Sequence, residues 1–424
     1  MFSHGQRRLD KIFLLEHPEG KPHVCGRKTE RAKTPMPEAS ISHTAPRSRY
    51  FLNTRRNRQT PPDLFSDAEL SAVVEFFRTY PGYAPTPLHL LNAYAAELGI
   101  AEIMVKDESS RLGLNAFKIS GVVYAVHRSK LRGEIRDGSA LACATAGNHG
   151  RAVAHAARVM NLPAHVYMHK GSSPARIQAI ASEGAQVTIV DGTYDDAVTR
   201  VVEDAKKNGW CVVSDTSWEG YEDIPHDIMA GYTMLLAEAT KQWSAIPDAV
   251  FVQAGVGGLA GAVVGGLQKM FGASSPKIVC CEPTNAACVL ESLRAGKSET
   301  FPGSLETIMA GLSAGTVSAI AWPVLKAGLD AAVAITDNEC RSAVYRLAHP
   351  AGGDPQMIAG ESGASGIATL AAVTREADLR PVRDFLALTP DSRVFVINTE
   401  GATDPDNFEA ITGLRIGARK SQQS

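Results

Sequence analysis

The sequence lacks most of the signals that mark membrane, secreted or nucleic-acid-binding proteins. No apolar run approaches the roughly 18 residues that a membrane span needs. The formal net charge of the 424 residues is −2, so no basic surface is predicted for nucleic acid or anionic lipid. The 7 cysteines are scattered without a C-x-x-C pair, so no metal site or disulfide framework is predicted, and a cytoplasmic location suits them. A small-molecule substrate is the partner class that remains.

The first fifty residues differ in kind from the rest. They mix basic residues with Pro and Ser and have little periodicity. The apolar piece at positions 12–15 is too short for the core of a signal peptide, and nearby acidic residues argue against a transit peptide. We interpret residues 1–50 as a mobile N-terminal extension. The ordered chain is predicted to begin near Asp63, with Asp67 as the cap of its first helix.

Apolar strands then alternate with helices along most of the chain. Strands are predicted over 140–144, 164–168, 186–190 and 211–213. The alternation resumes with a helix over 227–242 and continues to a strand over 393–398. This order predicts an α/β fold with parallel sheets, divided into two lobes with a cleft at the carboxyl ends of the strands. We assign 51–117 plus 226–415 to the large domain and 118–225 to the small one.

Lys118 stands between Phe117 and the apolar helical run ISGVVYAV. A lone lysine in such a place is usually a surface residue whose stem lies along apolar side chains. A partly desolvated lysine instead has a lowered pKa, and its neutral amine can attack a carbonyl carbon. The aldehyde of pyridoxal phosphate is the commonest target of such an amine.

A glycine-rich loop, Gly255 to Gly261, follows an apolar strand and opens a helix. Backbone N–H groups and the helix N-terminus would make this loop a phosphate cradle. The spacing is also close to a dinucleotide-binding fingerprint, with Glu282 ending the next strand where an acid would hold a ribose hydroxyl. The loop alone leaves both interpretations open.

Several longer motifs decide between them. The chain resembles the fold-type II pyridoxal-phosphate enzymes, which have the tryptophan synthase β-like fold, and within them the diaminopropionate ammonia-lyases. The resemblance runs from about Tyr80 to about Asp404 and is carried by KDES-x-R-x-GLNAFK (106–118), ATAGNHGRAVA (144–154), YDDAV (194–198), DTSWEGY (215–221), QAGVGGLAG (253–261) and NTEGATD (398–404). It implies pyridoxal 5'-phosphate as the cofactor and a homodimer as the assembly.

The resemblance also assigns roles to individual residues. It implies that Lys118 holds the cofactor covalently, that Asn148 bonds its ring hydroxyl and that Thr399 pairs with its ring nitrogen. Asp215 becomes a catalytic acid beside the β-substituent of the substrate. The loop implied to bind the phosphate comprises Gly255, Val256, Gly257, Gly258 and Leu259. The turn implied to bind the substrate comprises Thr145, Ala146, Gly147 and His149. Apart from any resemblance, Asn148 is placed to cap the helix that follows it.

One position departs from the family pattern. In diaminopropionate ammonia-lyases this turn resembles Ala-Thr-x-Asp-Gly-Asn-His-Gly. That pattern has an aspartate at the position where this chain has Ala146. The resemblance gives that aspartate the task of taking the α-proton from the D-isomer, whereas the lysine serves the L-isomer. Alanine has no group that accepts a proton, so we expect activity on L-substrates only.

The implied reaction is an α,β-elimination on a small L-amino acid, with 2,3-diaminopropionate giving pyruvate and ammonia. A serine- or threonine-type dehydratase and a β-replacement enzyme of the same fold remain as alternatives. A non-catalytic sensor that binds the cofactor or an amino acid belongs to another class, and a nicotinamide dehydrogenase is the most distant alternative.

Overall fold

A computed structural model of the protein describes residues 48–54, 56, 63–136, 138–145 and 147–416. The predicted extension over 1–50 lies outside the described residues except for its last three positions, and so does Ala146. Within those three, Arg49 pairs with Asp378 at 2.7 Å (Nε to Oδ2), and Tyr50 begins a strand. The ordered chain therefore starts before Asp63, the position predicted from the sequence.

The strands alternate with helices much as the sequence predicts. The strands are β1 (Tyr50–Leu52), β2 (Leu88–Leu90), β3 (Glu102–Asp107), β4 (Leu141–Ala144), β5 (Ala164–His169), β6 (Gln186–Val190), β7 (Cys211–Val212), β8 (Ala249–Gln253), β9 (Lys277–Pro283), β10 (Ala331–Ile335) and β11 (Arg393–Asn398). The helices are α1 (Asp67–Thr79), α2 (Asn92–Leu98), α3 (Lys118–Leu131), α4 (Asn148–Val159), α5 (Pro174–Ala181), α6 (Tyr194–Asn208), α7 (Asp223–Gln242), α8 (Gly258–Phe271), α9 (Cys288–Ala295), α10 (Ala321–Gly328), α11 (Asp337–Ala348), α12 (Glu361–Arg375), α13 (Arg380–Leu386) and α14 (Pro405–Thr412).

Two sheets confirm the predicted α/β fold. The larger has the strand order β1-β10-β9-β8-β11-β3-β2 and the smaller has the order β6-β5-β4-β7. All neighbours pair in parallel except the two edge strands of the larger sheet, where β1 and β2 run antiparallel to their partners. The smaller sheet lies wholly within the range predicted for the small domain. The domain boundaries themselves remain a prediction.

Two helix starts differ from the prediction. Ser66, rather than Asp67, is the N-cap of α1. Its hydroxyl oxygen accepts a hydrogen bond from the Glu69 amide, and the Glu69 carboxylate accepts one from the Ser66 amide. Helix α7 begins at Asp223, four residues before the predicted start at 227. In the described part of the chain, no helix is long and apolar enough to cross a bilayer.

Helices α3 and α7 cross at a contact between two glycines. A Cβ on Gly121 would lie 2.4 Å from the Tyr232 ring, and a Cβ on Gly231 would lie 2.7 Å from the Ser120 carbonyl oxygen. Any larger side chain would push the helices apart. This close approach brings the start of α3, at Lys118, against the middle of α7.

A buried charge cluster anchors the segment that leads to Lys118. The Arg111 guanidinium donates to both oxygens of Glu108 and both oxygens of Glu238, at 2.6–2.9 Å. Lys106 donates to Glu238 at 2.7 Å, and the side chains of all four residues are nearly inaccessible. The two cations balance the two carboxylates, so the segment after β3 is fixed to α7 by paired charges.

Replacing Arg111 with Met should therefore destabilise the fold. The change removes one of the two cations that balance the buried carboxylates of Glu108 and Glu238, and breaking one partner of a buried ion pair typically costs about 3–5 kcal/mol. Chemical denaturation would measure it. A matched control is Arg78→Met, because Arg78 also pairs with a glutamate three residues earlier but is 74% exposed. The control should lose about 1 kcal/mol at most, and equal losses for both variants would contradict the structural role of the cluster.

Candidate active site

The loop before α3 is hydrogen-bonded to the segment after β11, and this brings two predicted site residues, Lys118 and Thr399, near each other. The Phe117 amide donates to the Thr399 carbonyl at 3.0 Å, and the Gly401 amide donates to the Asn115 carbonyl at 2.9 Å. Ala116 and Glu400 form an isolated bridge between these bonds. Lys118 thus starts α3 beside the carboxyl end of β11, an inner strand of the larger sheet.

Lys118 and Asp215 form a largely buried ion pair. The Lys118 amine donates to an Asp215 carboxylate oxygen, and the side chains are only 19% and 15% exposed. Burial alone would lower the pKa of Lys118, but the Asp215 carboxylate outweighs it and raises that pKa above the usual value. Burial would raise the pKa of Asp215, but Lys118 and then His149 hold it well below its usual range. The expectation of a lowered lysine pKa is therefore wrong for this pair, because the sequence could not reveal the carboxylate.

His149 lies against the same carboxylate but is held by the backbone. Its Nε2 donates to the Val213 carbonyl oxygen at 2.8 Å, an assignment that follows from the acceptor. Its Nδ1 lies 3.8 Å from Asp215 Oδ2 and has no hydrogen-bond partner. Burial lowers the pKa of His149, so the ring is neutral. A neutral imidazole with an unprotonated Nδ1 can accept a proton or a hydrogen bond from a bound molecule.

Thr145 caps helix α4, and Asn148 does not. The Thr145 hydroxyl oxygen accepts from the amides of Gly147 and Gly150 at 2.9 and 3.2 Å. Gly147 is the N-cap residue and Asn148 is the first residue of the helix. The capping role predicted for Asn148 is thus wrong, and its side chain is free to extend to Glu400, to which its Nδ2 donates.

The glycine loop after β8 leads into the start of α8 through a turn that requires glycine. Gly257 has a φ of +92°, and a Cβ there would lie 2.7 Å from Leu325 Cδ1, so only glycine fits. Within the described chain no side chain caps α8, so its first amides remain available to an anion. A Cβ on Gly258 would lie 3.9 Å from the Asp215 carbonyl oxygen and 4.0 Å from the Tyr232 ring. The start of α8 therefore lies next to the Asp215 backbone, and its amides fit the phosphate of the predicted cofactor.

Thr399 is buried at the end of β11 and keeps its hydroxyl proton available. Its Oγ1 accepts from Gln253 Nε2 at 3.0 Å, and the same amide group donates to the carbonyl oxygens of Ile397 and Ser362 at 3.0 Å. Because Gln253 already fills an acceptor site of Thr399, the hydroxyl can donate elsewhere. A hydroxyl that donates is suited to an unprotonated ring nitrogen.

The Glu282 carboxyl group is hydrogen-bonded to backbone amides of the protein and is not available to a ligand. Its carboxyl group accepts from the Val289 and Leu290 amides at 2.7 and 2.8 Å, at the start of α9. The side chain is fully buried, and burial raises its pKa to about 8. The acid that a dinucleotide site would need at this position is therefore unavailable to a ribose.

Sequence reasoning missed three residues of this site. It assigned no role to Gln253, to Glu400 or to Tyr232. The centroid of the Tyr232 ring lies 4.7 Å from that of Phe117, and burial raises the pKa of Tyr232. Gln253 lies two residues before Gly255 and Glu400 directly follows Thr399, each inside one of the motifs that carry the family resemblance, and this was a usable signal. Tyr232 lies in the middle of a long helix, and nothing in its local sequence marks it.

The comparisons with known proteins agree with this geometry. The family model described as pyridoxal-phosphate dependent enzyme matches residues 79–399. The diaminopropionate ammonia-lyase of Escherichia coli (strain K12) is 37% identical over 84% of this chain and 94% of its own length. The human serine dehydratase-like protein is 28% identical over 65% of this chain and 79% of its own.

A solved structure is similar over the same range. The crystal structure of Escherichia coli diaminopropionate ammonia lyase in complex with an aminoacrylate-PLP azomethine reaction intermediate has a TM-score of 0.80 and 36% identity, and the match covers 85% of this chain and 96% of that one. The family match spans more than half of the sequence, and the site places a glycine loop next to Asp215, the ion-pair partner of Lys118. The chain therefore belongs to the fold-type II pyridoxal-phosphate-dependent enzymes and is similar to the diaminopropionate ammonia-lyases.

Proposed function

We propose that this protein eliminates the β-amine of L-2,3-diaminopropionate and releases pyruvate and two ammonia molecules with the uptake of one water. The observation that carries the proposal is the buried pair of an amine, Lys118, and a carboxylate, Asp215, next to a glycine loop at the start of α8. The similarity to diaminopropionate ammonia-lyases supports the choice of substrate. The cofactor supplies an electron sink for the charge that develops at Cα when the proton leaves.

The residues divide the work between holding and proton transfer. The loop from Gly255 to Leu259 would bind the phosphate with backbone amides. Thr399 would donate to the ring nitrogen, and Asn148 would donate to the ring oxygen. A neutral hydroxyl leaves that nitrogen unprotonated, which favours prompt β-elimination over long-lived carbanions.

Lys118 would attach the cofactor and, once released from it, remove the α-proton. Asp215 would either orient the β-ammonium group of the substrate or relay a proton to the neutral β-amine, because an amine departs only when protonated. The turn from Thr145 to His149 would hold the substrate carboxylate. The unsaturated amine that leaves the enzyme then reacts with water to give the 2-oxo acid.

A substrate panel tests the proposal. Turnover of L-2,3-diaminopropionate, L-serine, L-threonine and hydroxyaspartate would be compared, with and without a thiol acceptor. The highest kcat/KM should belong to diaminopropionate. A preference for serine or threonine would favour the dehydratase, which the similarity to the human serine dehydratase-like protein keeps as second candidate. A product that contains the thiol would indicate β-replacement, and no turnover at all would indicate a sensor.

The enantiomers of diaminopropionate give a separate prediction. Because Ala146 has no proton acceptor, turnover of the D-isomer should be at least roughly 10²-fold below that of the L-isomer, the usual contribution of a positioned base. Ala146→Asp should raise turnover of the D-isomer and leave that of the L-isomer nearly unchanged. Chiral chromatography of each reaction would measure both rates. Comparable rates on both isomers in the unaltered enzyme would contradict the prediction.

We also propose a homodimer in a reducing cytoplasm. The family resemblance supports the dimer. The described cysteines are all free, and burial raises the pKa of Cys143 and Cys281, which keeps these thiols unreactive. Light scattering on the purified protein would measure the assembly, and a monomer at micromolar concentration would contradict it.

A further inference from the structure

A buried carboxylate, that of Glu400, lies immediately after Thr399. Glu400 is 3% exposed, and its Oε1 accepts from the Ser362 amide at 3.1 Å. Its Oε2 accepts from the Thr403 hydroxyl at 3.2 Å and from the Asn148 side-chain amide. The donors come from three separate segments, so the carboxylate is held in one orientation.

The bond between Glu400 and Asn148 crosses from one sheet to the other. Asn148 starts the helix that follows β4 of the smaller sheet, and Glu400 follows β11 of the larger sheet. An asparagine amide has two N–H donors on one side and a carbonyl acceptor on the other. A carboxylate that binds one N–H fixes which side faces it, and such charge-assisted bonds are about twice as strong as neutral ones. The second N–H of Asn148 then keeps a constant direction.

The neighbouring acid cannot take this role. Glu361 Oε1 accepts from the Asn407 side-chain amide, on α14. Burial, together with the charge of Glu400, raises the pKa of Glu361 to about 7. Glu400 is therefore the carboxylate that faces Asn148.

We propose that Glu400 is a positioning residue that holds the Asn148 amide so that its second N–H donates to the ring oxygen of the cofactor. The inference rests on the proposed role of Asn148 and deepens it. Two successive residues at the end of β11 then fix the two polar edges of the ring: Thr399 directly, and Glu400 through Asn148.

The test is a double-mutant cycle on cofactor affinity. The full-length protein freed of pyridoxal phosphate would be titrated with it, comparing the unaltered chain with Glu400→Ala, Asn148→Ala and the double variant. Each single change should weaken binding roughly 10-fold, the size expected for a lost hydrogen bond to a charged group. The double variant should be no weaker than Asn148→Ala alone, because Glu400 acts only through Asn148.

Two further variants separate positioning from folding. Thr403→Val removes another donor to the same carboxylate and should leave affinity unchanged. Glu400→Gln keeps an acceptor for Asn148 and should restore most of the affinity. The pH dependence of the bound cofactor's visible absorption, which reports the hydrogen bond to its ring oxygen, should change in Glu400→Ala and not in Thr403→Val. If the Glu400→Ala chain does not fold, the Glu400→Gln variant decides. The pH dependence of its cofactor absorption must then match that of the unaltered chain.

The outcomes distinguish the inference from the function on which it rests. If Asn148→Ala weakens binding but Glu400→Ala does not, or tightens it, the inference about Glu400 alone is overturned. Additive losses in the double variant would overturn it as well, because Glu400 would then act independently. Unchanged affinity in Asn148→Ala would overturn both the proposed role of Asn148 and the inference.

Discussion

Replacing Lys118 with Ala should lower kcat/KM for diaminopropionate by on the order of 10³- to 10⁴-fold, the upper range for loss of a positioned base. The covalent attachment of the cofactor should be lost as well, because Lys118 supplies the amine that pairs with Asp215 next to the glycine loop. Steady-state kinetics and the visible absorption of the protein with added pyridoxal phosphate would measure both effects. The site geometry is the reason: the Lys118 amine is buried beside Asp215, which itself adjoins that loop.

Two control variants separate chemistry from folding. Lys118→Arg keeps a cation opposite Asp215 but cannot attach the aldehyde, so its stability should be near that of the unaltered chain while activity is lost. Lys130→Ala removes an exposed lysine from the last turn of the same helix and should change neither quantity. Substantial activity in Lys118→Arg would contradict the assignment.

Replacing Asp215 with Asn should lower kcat/KM for diaminopropionate by roughly 10²- to 10⁴-fold while the affinity for pyridoxal phosphate changes little. The carboxylate is held ionised by the Lys118 ammonium, and removing that charge lets burial raise the pKa of Asp215. The same group can thus hold a proton when the lysine is not charged and release it to a departing amine.

The leaving group provides the sharpest comparison for Asp215. Chloride departs without a proton, so Asp215→Asn should retain most of the elimination from 3-chloro-L-alanine. Asp191→Asn is a matched control, because Asp191 also pairs with a lysine but is 85% exposed. Equal losses on both substrates, or an equal loss of cofactor affinity, would contradict the role of Asp215 as the acid for the amine.

The sequence predicted the fold because the fold depends on local patterns, and it named the candidate site residues from the turns that follow the strands. Strands such as β4 and β8 are short apolar runs followed by glycine or asparagine turns, and these turns meet at the carboxyl ends of parallel strands. Lys118, Asn148, the glycine loop and Thr399 could be named since each lies in such a turn. Asp215 was found by its motif, and the structure brings it to Lys118.

What the sequence could not supply were relations between distant residues. The pKa of Lys118 is raised rather than lowered, because the carboxylate that decides it is 97 residues away. Asn148 bonds Glu400 across 252 residues, whereas the local pattern suggested a helix cap. Strand β1 was missed because a three-residue edge strand has no periodicity of its own.

The central claim is that Lys118 bonds covalently to the aldehyde of pyridoxal phosphate. The most direct measurement is borohydride reduction of the protein with bound cofactor, followed by proteolysis and mass spectrometry of the peptides. We predict that the reduced cofactor will be found on Lys118 and on no other lysine. A cofactor mass on a different lysine, or a protein that takes up no cofactor at all, would contradict the account.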